Sequence, residues 1–61
     1  MAYYRLFFFS GDGHIQRSLD LECDGDAEAI DGVEEHRGHQ ALELWQRARL
    51  VARFEPLPSQ D

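Results

Sequence analysis

The only local cluster of metal-ligand side chains in this sequence is His36-Arg37-Gly38-His39, which directly follows Glu34 and Glu35. Cys23 is the one cysteine and could add a thiolate to it. A zinc site needs three or four convergent ligands at recognisable spacings, and two histidines around a glycine provide neither. We therefore interpret the segment as a polar helix end and loop, and we expect no metal and no cofactor.

Three other patterns contain reactive residue types in unsuitable contexts. Cys23 ends the inward-facing series of an alternating segment, which favours a small buried hydrophobic residue over a nucleophile. Gly11-Asp12-Gly13 lies between two predicted strands, whereas phosphate-binding loops precede a helix. The acidic residues between positions 20 and 31 lack the order of a calcium-binding EF-hand loop and indicate a solvated face. No catalytic residue is assigned, and the protein is predicted not to be an enzyme.

Composition excludes further classes of function. The chain has 61 residues, with 12 Asp and Glu against 6 Lys and Arg, and its net charge is -6. That charge repels phosphate backbones, so nucleic acid is not an expected partner. The apolar run at 6–9 is too short for a membrane span or a signal peptide, so no membrane association is expected. A single cysteine favours a reducing compartment, which predicts a cytoplasmic protein.

The first part of the chain predicts a β-hairpin. Residues 3–9 are rich in aromatic strand formers, residues 14–23 alternate between apolar and polar, and glycines between them suit a turn. A turn at 11–12 or at 12–13 leaves two registers open. In both registers the same inward side chains share a face, which supports the hairpin: Tyr4, Leu6, Phe8, Ile15, Leu19 and Leu21.

A helix is predicted next. Asp24 is a suitable N-cap residue and Gly38 a suitable residue just after the last turn. Between them, Ala27, Ile30 and Val33 form a narrow apolar stripe at helical spacing. This stripe predicts that the helix packs on one face of the sheet.

A second hairpin is predicted within residues 40–54. Its loop could contain two residues, 46–47, or three, 46–48. The three-residue loop separates apolar from polar side chains better because it places Leu44 beside Leu50. We therefore prefer the three-residue loop.

These elements predict an α+β fold: a two-layer ββαββ domain with an antiparallel sheet and one helix packed on one face. Residues 1–54 are assigned to a single domain, and residues 55–61, which contain both prolines, to a disordered C-terminal tail. The predicted core consists of Tyr4, Leu6, Phe8, Ile15, Leu19, Leu21, Ala27, Ile30, Val33, Leu42, Leu44, Leu50, Ala52 and Phe54.

The opposite face of the predicted sheet is rich in aromatic side chains that one helix cannot cover. We predict that it forms an interface of Tyr3, Arg5, Phe7, Phe9, Trp45 and Val51. The expected function is a small non-catalytic protein–protein interaction module, homodimeric through its sheet, with a second copy or another protein as partner. The alternative is an acidic antitoxin or inhibitor that masks a basic partner protein.

The order of elements resembles a group of short uncharacterised bacterial proteins assigned to a domain of unknown function. The resemblance lies in Tyr4-Arg5-Leu6-Phe7-Phe8, Asp12-Gly13-His14-Ile15, Asp26-Ala27-Glu28-Ala29-Ile30, Glu43-Leu44-Trp45-Gln46 and Leu50-Val51-Ala52-Arg53. It implies a hairpin–helix–hairpin fold and brings no activity with it. Those proteins commonly have a glycine in the last turn, where this sequence has Arg47. The segment Asp24–Ile30 is also similar to the helix start of small acidic antitoxins.

Overall fold

The computed structural model describes residues 1–57 and has the predicted α+β fold. The elements in chain order are β1 (Ala2–Phe9), β2 (Ile15–Cys23), α1 (Asp26–Glu34), β3 (Leu42–Gln46) and β4 (Arg49–Phe54). The four strands form one antiparallel sheet in the order β2-β1-β3-β4, and α1 packs on one face. Positions 58–61 of the predicted tail lie outside the described residues.

The core lies between α1 and the inner face of the two central strands. Its buried members include the predicted Tyr4, Leu6, Phe8, Val33, Leu42 and Leu44, together with Cys23 and Ala29. The predicted Leu19, Leu21, Ile30 and Phe54 are partly buried against this cluster. Period-two alternation in β1 and β3 explains the pattern, because every second side chain of a strand points to the same face.

The first hairpin adopts the register of the later turn, with Leu6 opposite Leu19. A bulge between Phe8 and Phe9 then places Ile15 opposite Phe9, on the outer face. Ile15 is 55% exposed, so its assignment to the core was wrong. The physical reason is the extra residue at the bulge, which reverses the facing of the side chains beyond it.

Arg17 breaks the apolar alternation of β2 because it has a specific contact. It lies opposite Phe8 in the sheet, and its guanidinium carbon is 4.1 Å from the centre of the Phe8 ring. A guanidinium over an aromatic face is attracted by the ring quadrupole, and the long side chain also shields the ring from water. The arginine therefore covers the end of the core beyond the helix.

The helix begins and ends inside its predicted bounds. Gly25, not Asp24, is the N-cap residue, and the amide of Asp24 donates a hydrogen bond to Glu28 at 3.0 Å. The C-cap is Glu35, so the helix ends before Gly38. The N-cap assignment was wrong because Asp24 lies one residue before the cap, where its own amide is the donor to Glu28, and no side chain caps the helix start.

The buried stripe of α1 differs from the predicted one. Ala29 and Val33 are fully buried, whereas Ala27 is exposed, so the assignment of Ala27 to the core was wrong. Residues four positions apart lie on the same helix face, and the pair 29 and 33 is the one that meets the sheet. Ile30, beside them, is partly buried.

The second hairpin has a two-residue loop, Arg47-Ala48, so the preferred three-residue loop was wrong. A bulge between Leu44 and Trp45 adds one residue to β4. Leu44 therefore still lies opposite an apolar residue, Ala52, although the loop has only two residues. Leu50 lies opposite Trp45 and is 42% exposed, which overturns its assignment to the core. Val51, at the bulge, is partly buried against the core.

Arg47 has a φ of 57°, in the region that favours glycine. Replacing Arg47 with glycine is expected to stabilise the protein by about 0.5–1 kcal/mol, because the side-chain clash is removed from a hairpin turn position where glycine is preferred. Thermal denaturation should show a rise in Tm of roughly 2–8 °C. Ala48→Gly is the control, since φ of Ala48 is not positive. An equal gain from both variants would contradict the turn geometry.

Candidate protein-interaction face

The outer face is the face of the sheet opposite α1. Strand alternation and the registers place on it, from the two central strands, Tyr3, Arg5, Phe7, Phe9, Glu43 and Trp45. The edge strands add Ile15, Ser18, Asp20, Glu22, Leu50 and Arg53. Of the predicted interface, only Val51 lies apart from this face, because it packs against the core.

Aromatic side chains occupy most of the outward positions of the two central strands. Tyr3 is 70% exposed, and Phe7, Phe9 and Trp45 are only partly buried in the single chain. Tyr3, Phe7 and Phe9 are outward residues of the central strand β1, and we call them the aromatic row. Arg5, which is also outward, lies between Tyr3 and Phe7. A row of aromatic side chains at the middle of a sheet, rather than at its rim, is an uncovered apolar surface.

A depression of about 380 Å³ opens within this face. It is lined by outward residues of β1, by Asp20 from β2, and by Trp45 and Arg47 from the second hairpin. A second depression, of about 420 Å³, lies beside the β1–β2 turn, the loop before β3 and the end of β4. Both depressions adjoin the outer face. Tyr3, Phe7 and Trp45 line the first, and Phe9, Glu43 and Arg53 line the second.

Two cross-strand ion pairs flank the aromatic centre. The Arg5 Nε lies 3.0 Å from an oxygen of Asp20, and the Arg53 Nε lies 3.4 Å from an oxygen of Glu43. The indole N–H of Trp45 donates a hydrogen bond to Glu43 at 3.0 Å. Exposed pairs of this kind contribute little stability, but they fix where each charge stands on the face.

Another polar network joins β1, the start of α1 and the start of β4. The Tyr4 hydroxyl donates to Asp26 at 2.7 Å, and both terminal nitrogens of Arg49 reach the same carboxylate, at 3.1 and 3.3 Å. Hydrogen bonds from Arg49 and then from Tyr4 hold the pKa of Asp26 below its usual value. The same bond to Asp26 raises the pKa of Tyr4. This network holds the helix against the sheet and faces away from the aromatic row.

Two residues of reactive types, Cys23 and His36, lie on the helix side of the sheet, away from the outer face. Burial, followed by nearby carboxylates, raises the pKa of the Cys23 thiol, which opposes the thiolate that a nucleophile needs. His36 lies edge-on to the Phe8 ring, with centres 6.1 Å apart. Within residues 1–57, no three His, Cys, Asp or Glu side chains come together as a group that could hold a metal ion.

The predicted interface omitted four charged members of the outer face: Asp20, Glu22, Glu43 and Arg53. Alternation along β2 was a sufficient signal for Asp20. The position of Glu43 beside Phe7 required knowing that β3 lies next to β1, which no local pattern encodes.

In the described part of the chain, no helix has the length and apolar character needed to cross a membrane.

Comparison with known proteins identifies no relative: no family model matches the chain, and neither a curated protein nor a solved structure matches it significantly.

Proposed function

We propose that this protein is a small non-catalytic protein–protein interaction module whose outer face binds a second copy of the chain. The observation that carries the proposal is the aromatic row of β1 on the face of the sheet opposite α1, with Tyr3 70% exposed. Aromatic side chains and arginine are enriched at protein interfaces, and this face combines both. Contact with a second copy removes this apolar surface from water.

The size of the chain also supports self-association. A domain of about 60 residues buries only about 60% of its unfolded surface and has correspondingly low stability. A second sheet stacked on the outer face adds another apolar layer, and two-fold dimers are the commonest way to obtain one.

The free, buried Cys23 supports a reducing, cytoplasmic location as part of the proposal. The proposal also includes a relationship to the short bacterial proteins with a hairpin–helix–hairpin fold.

The first test is the oligomeric state. Sedimentation across a concentration series should show a dimer for the wild type, and Trp45→Thr should weaken dimerisation by about 30-fold or more, the loss typical of an interfacial hot spot. Threonine keeps a strand-compatible side chain at this position. A circular dichroism melt of Trp45→Thr establishes that its monomer is folded.

Leu57→Thr is the matched control, because Leu57 is 42% exposed and its amide bonds to Gly38, in the loop after α1. This variant should dimerise as the wild type does. A wild type that stays monomeric at high micromolar concentration, or a Trp45→Thr variant that dimerises unchanged, would contradict the proposal.

The alternative is an acidic antitoxin or inhibitor that masks a basic partner. It is favoured by one observation: the end of β2 and the outside of α1 carry exposed carboxylates that form no ion pair within residues 1–57, namely Glu22, Asp24, Glu28, Asp31 and Glu35. Such a surface steers basic proteins, and salt weakens that attraction. A strictly monomeric wild type is the result that favours this alternative.

A further inference from the structure

The centre of the outer face is a rectangle of four side chains with a distinctive pattern. Arg5 lies directly opposite Trp45, and Phe7 lies directly opposite Glu43. The two charged residues therefore occupy one diagonal of the rectangle, and the two aromatic residues occupy the other. This arrangement restricts how two copies of the face can stack by a two-fold axis.

Three of the four simple two-fold axes through this rectangle produce unfavourable contacts. An axis along the strands places Glu43 over the partner's Phe7, and an axis across the strands places Glu43 over the partner's Trp45. Both set a carboxylate against the negative face of an aromatic ring and give it no opposite charge on the partner, although Arg5 then lies over a partner ring. An axis along the charged diagonal places Arg5 on the partner's Arg5 and Glu43 on the partner's Glu43, which is repulsive.

The fourth axis, along the aromatic diagonal, is favourable at every corner. It stacks Phe7 on the partner's Phe7 and Trp45 on the partner's Trp45, and it sets Arg5 against the partner's Glu43. With strands about 4.8 Å apart and alternate residues about 6.8 Å apart, the paired charges coincide to within about 3 Å in projection. The strands of the two sheets then cross at about 70°, which is closer to the orthogonal than to the aligned class of sheet packing.

The flanking charges follow the same symmetry. Asp20 lies beyond Arg5 on one edge strand, and Arg53 lies beyond Glu43 on the other. The same axis brings Asp20 over the partner's Arg53. The two ion pairs of each chain are Arg5–Asp20 and Arg53–Glu43. The axis therefore places each charge of one pair over the opposite charge of the partner's other pair.

We propose that two copies dock by their outer faces about the Phe7–Trp45 diagonal, with Arg5 against the partner's Glu43 and Asp20 against the partner's Arg53. This inference rests on the proposed homodimer and specifies its geometry. Self-complementary charge explains how a chain of net charge -6 can bind itself, because the two arginines and two carboxylates paired across the axis cancel while the carboxylates of α1 remain on the far side.

The test uses charge reversal in two separate variants, Arg5→Glu and Glu43→Arg. Each variant alone places like charges together across the axis, so each homodimer should weaken at least tenfold. An equimolar mixture of the two should form a heterodimer, because every position 5 to 43 contact then joins opposite charges. Sedimentation of each variant and of the mixture, and native mass spectrometry to identify the heterodimer, measure these outcomes.

Controls separate this geometry from folding effects and from the proposed function. Asp31→Arg, on the far side of the molecule, should leave dimerisation unchanged. If a reversed variant fails to fold, Arg5→Gln and Glu43→Gln replace them, and the double variant should then dimerise no more weakly than either single one. Single reversals that leave a wild-type dimer intact, or a mixture without heterodimer, would overturn the axis but not the homodimer. A monomeric wild type would overturn both.

Discussion

Replacing Leu6 with alanine is expected to remove most of the folding free energy of this protein. Leu6 is fully buried in the central strand β1, between Leu19 on one neighbouring strand and Leu44 on the other. A leucine-to-alanine change at such a site costs about 3 kcal/mol, from lost burial and from the cavity that remains. A domain of this size has roughly 3–6 kcal/mol in total. Urea denaturation followed by circular dichroism measures the loss.

Leu50→Ala is the matched control for this experiment. Leu50 is 42% exposed on the outer face, opposite Trp45. The same substitution there should change the free energy of unfolding by less than about 1 kcal/mol. Both variants are best measured in a Trp45→Thr background, because dimerisation would add a concentration-dependent contribution to stability. Similar losses at positions 6 and 50 would contradict the bulged register of the second hairpin.

The second large effect is expected at Ala29. Ala29 is fully buried where α1 meets the sheet. Replacing it with aspartate places a carboxylate in an apolar contact without a partner and forces the helix away from the inner face. The cost of several kcal/mol is comparable to the whole stability of the domain. Circular dichroism and thermal denaturation should show a chain that is largely unfolded near neutral pH.

Ala27→Asp provides a direct comparison on the same helix. Ala27 is exposed in the first turn, where a negative charge interacts favourably with the helix dipole. This variant should therefore be as stable as the wild type, or slightly more stable. If Ala27→Asp unfolds the protein and Ala29→Asp does not, the helix packs on the sheet through Ala27, as the sequence predicted, and not through Ala29.

Much of the fold could be predicted because its main features depend on local patterns. Alternation identified the inner residues of β1 and the body of the first hairpin, since a strand has a fixed period of two. The errors within the strands arose where that period is interrupted. Uninterrupted alternation assigned Ile15 and Leu50 to the core. Both assignments were wrong because each residue lies at a bulge, and a bulge leaves no reliable signature in a single sequence.

The aromatic content of the outer face could also be predicted, and the arrangement of its charges could not. Tyr3, Phe7 and Phe9 belong to one strand, so their shared face follows from spacing alone. The contact of Phe7 with Glu43 joins residues from distant parts of the chain. It depends on β1 pairing with β3 and so joining the two hairpins, which is a property of the whole sheet rather than of any segment. The rectangle that defines the proposed docking axis became visible only with the strand order.

The pairing of β1 with β3, which joins the two hairpins, has a consequence for how the chain reaches this structure. Each hairpin closes over a short loop, whereas joining β1 to β3 closes a segment of more than thirty residues between Phe8 and Leu42. The logarithmic loop term for that closure is about 3 kcal/mol, well above that of either turn. The β1–β3 pairing is therefore the slow, non-local event of folding. Until it occurs, β1 exposes its second edge and its apolar inner side chains, so that pairing also determines how long the nascent chain is open to aggregation.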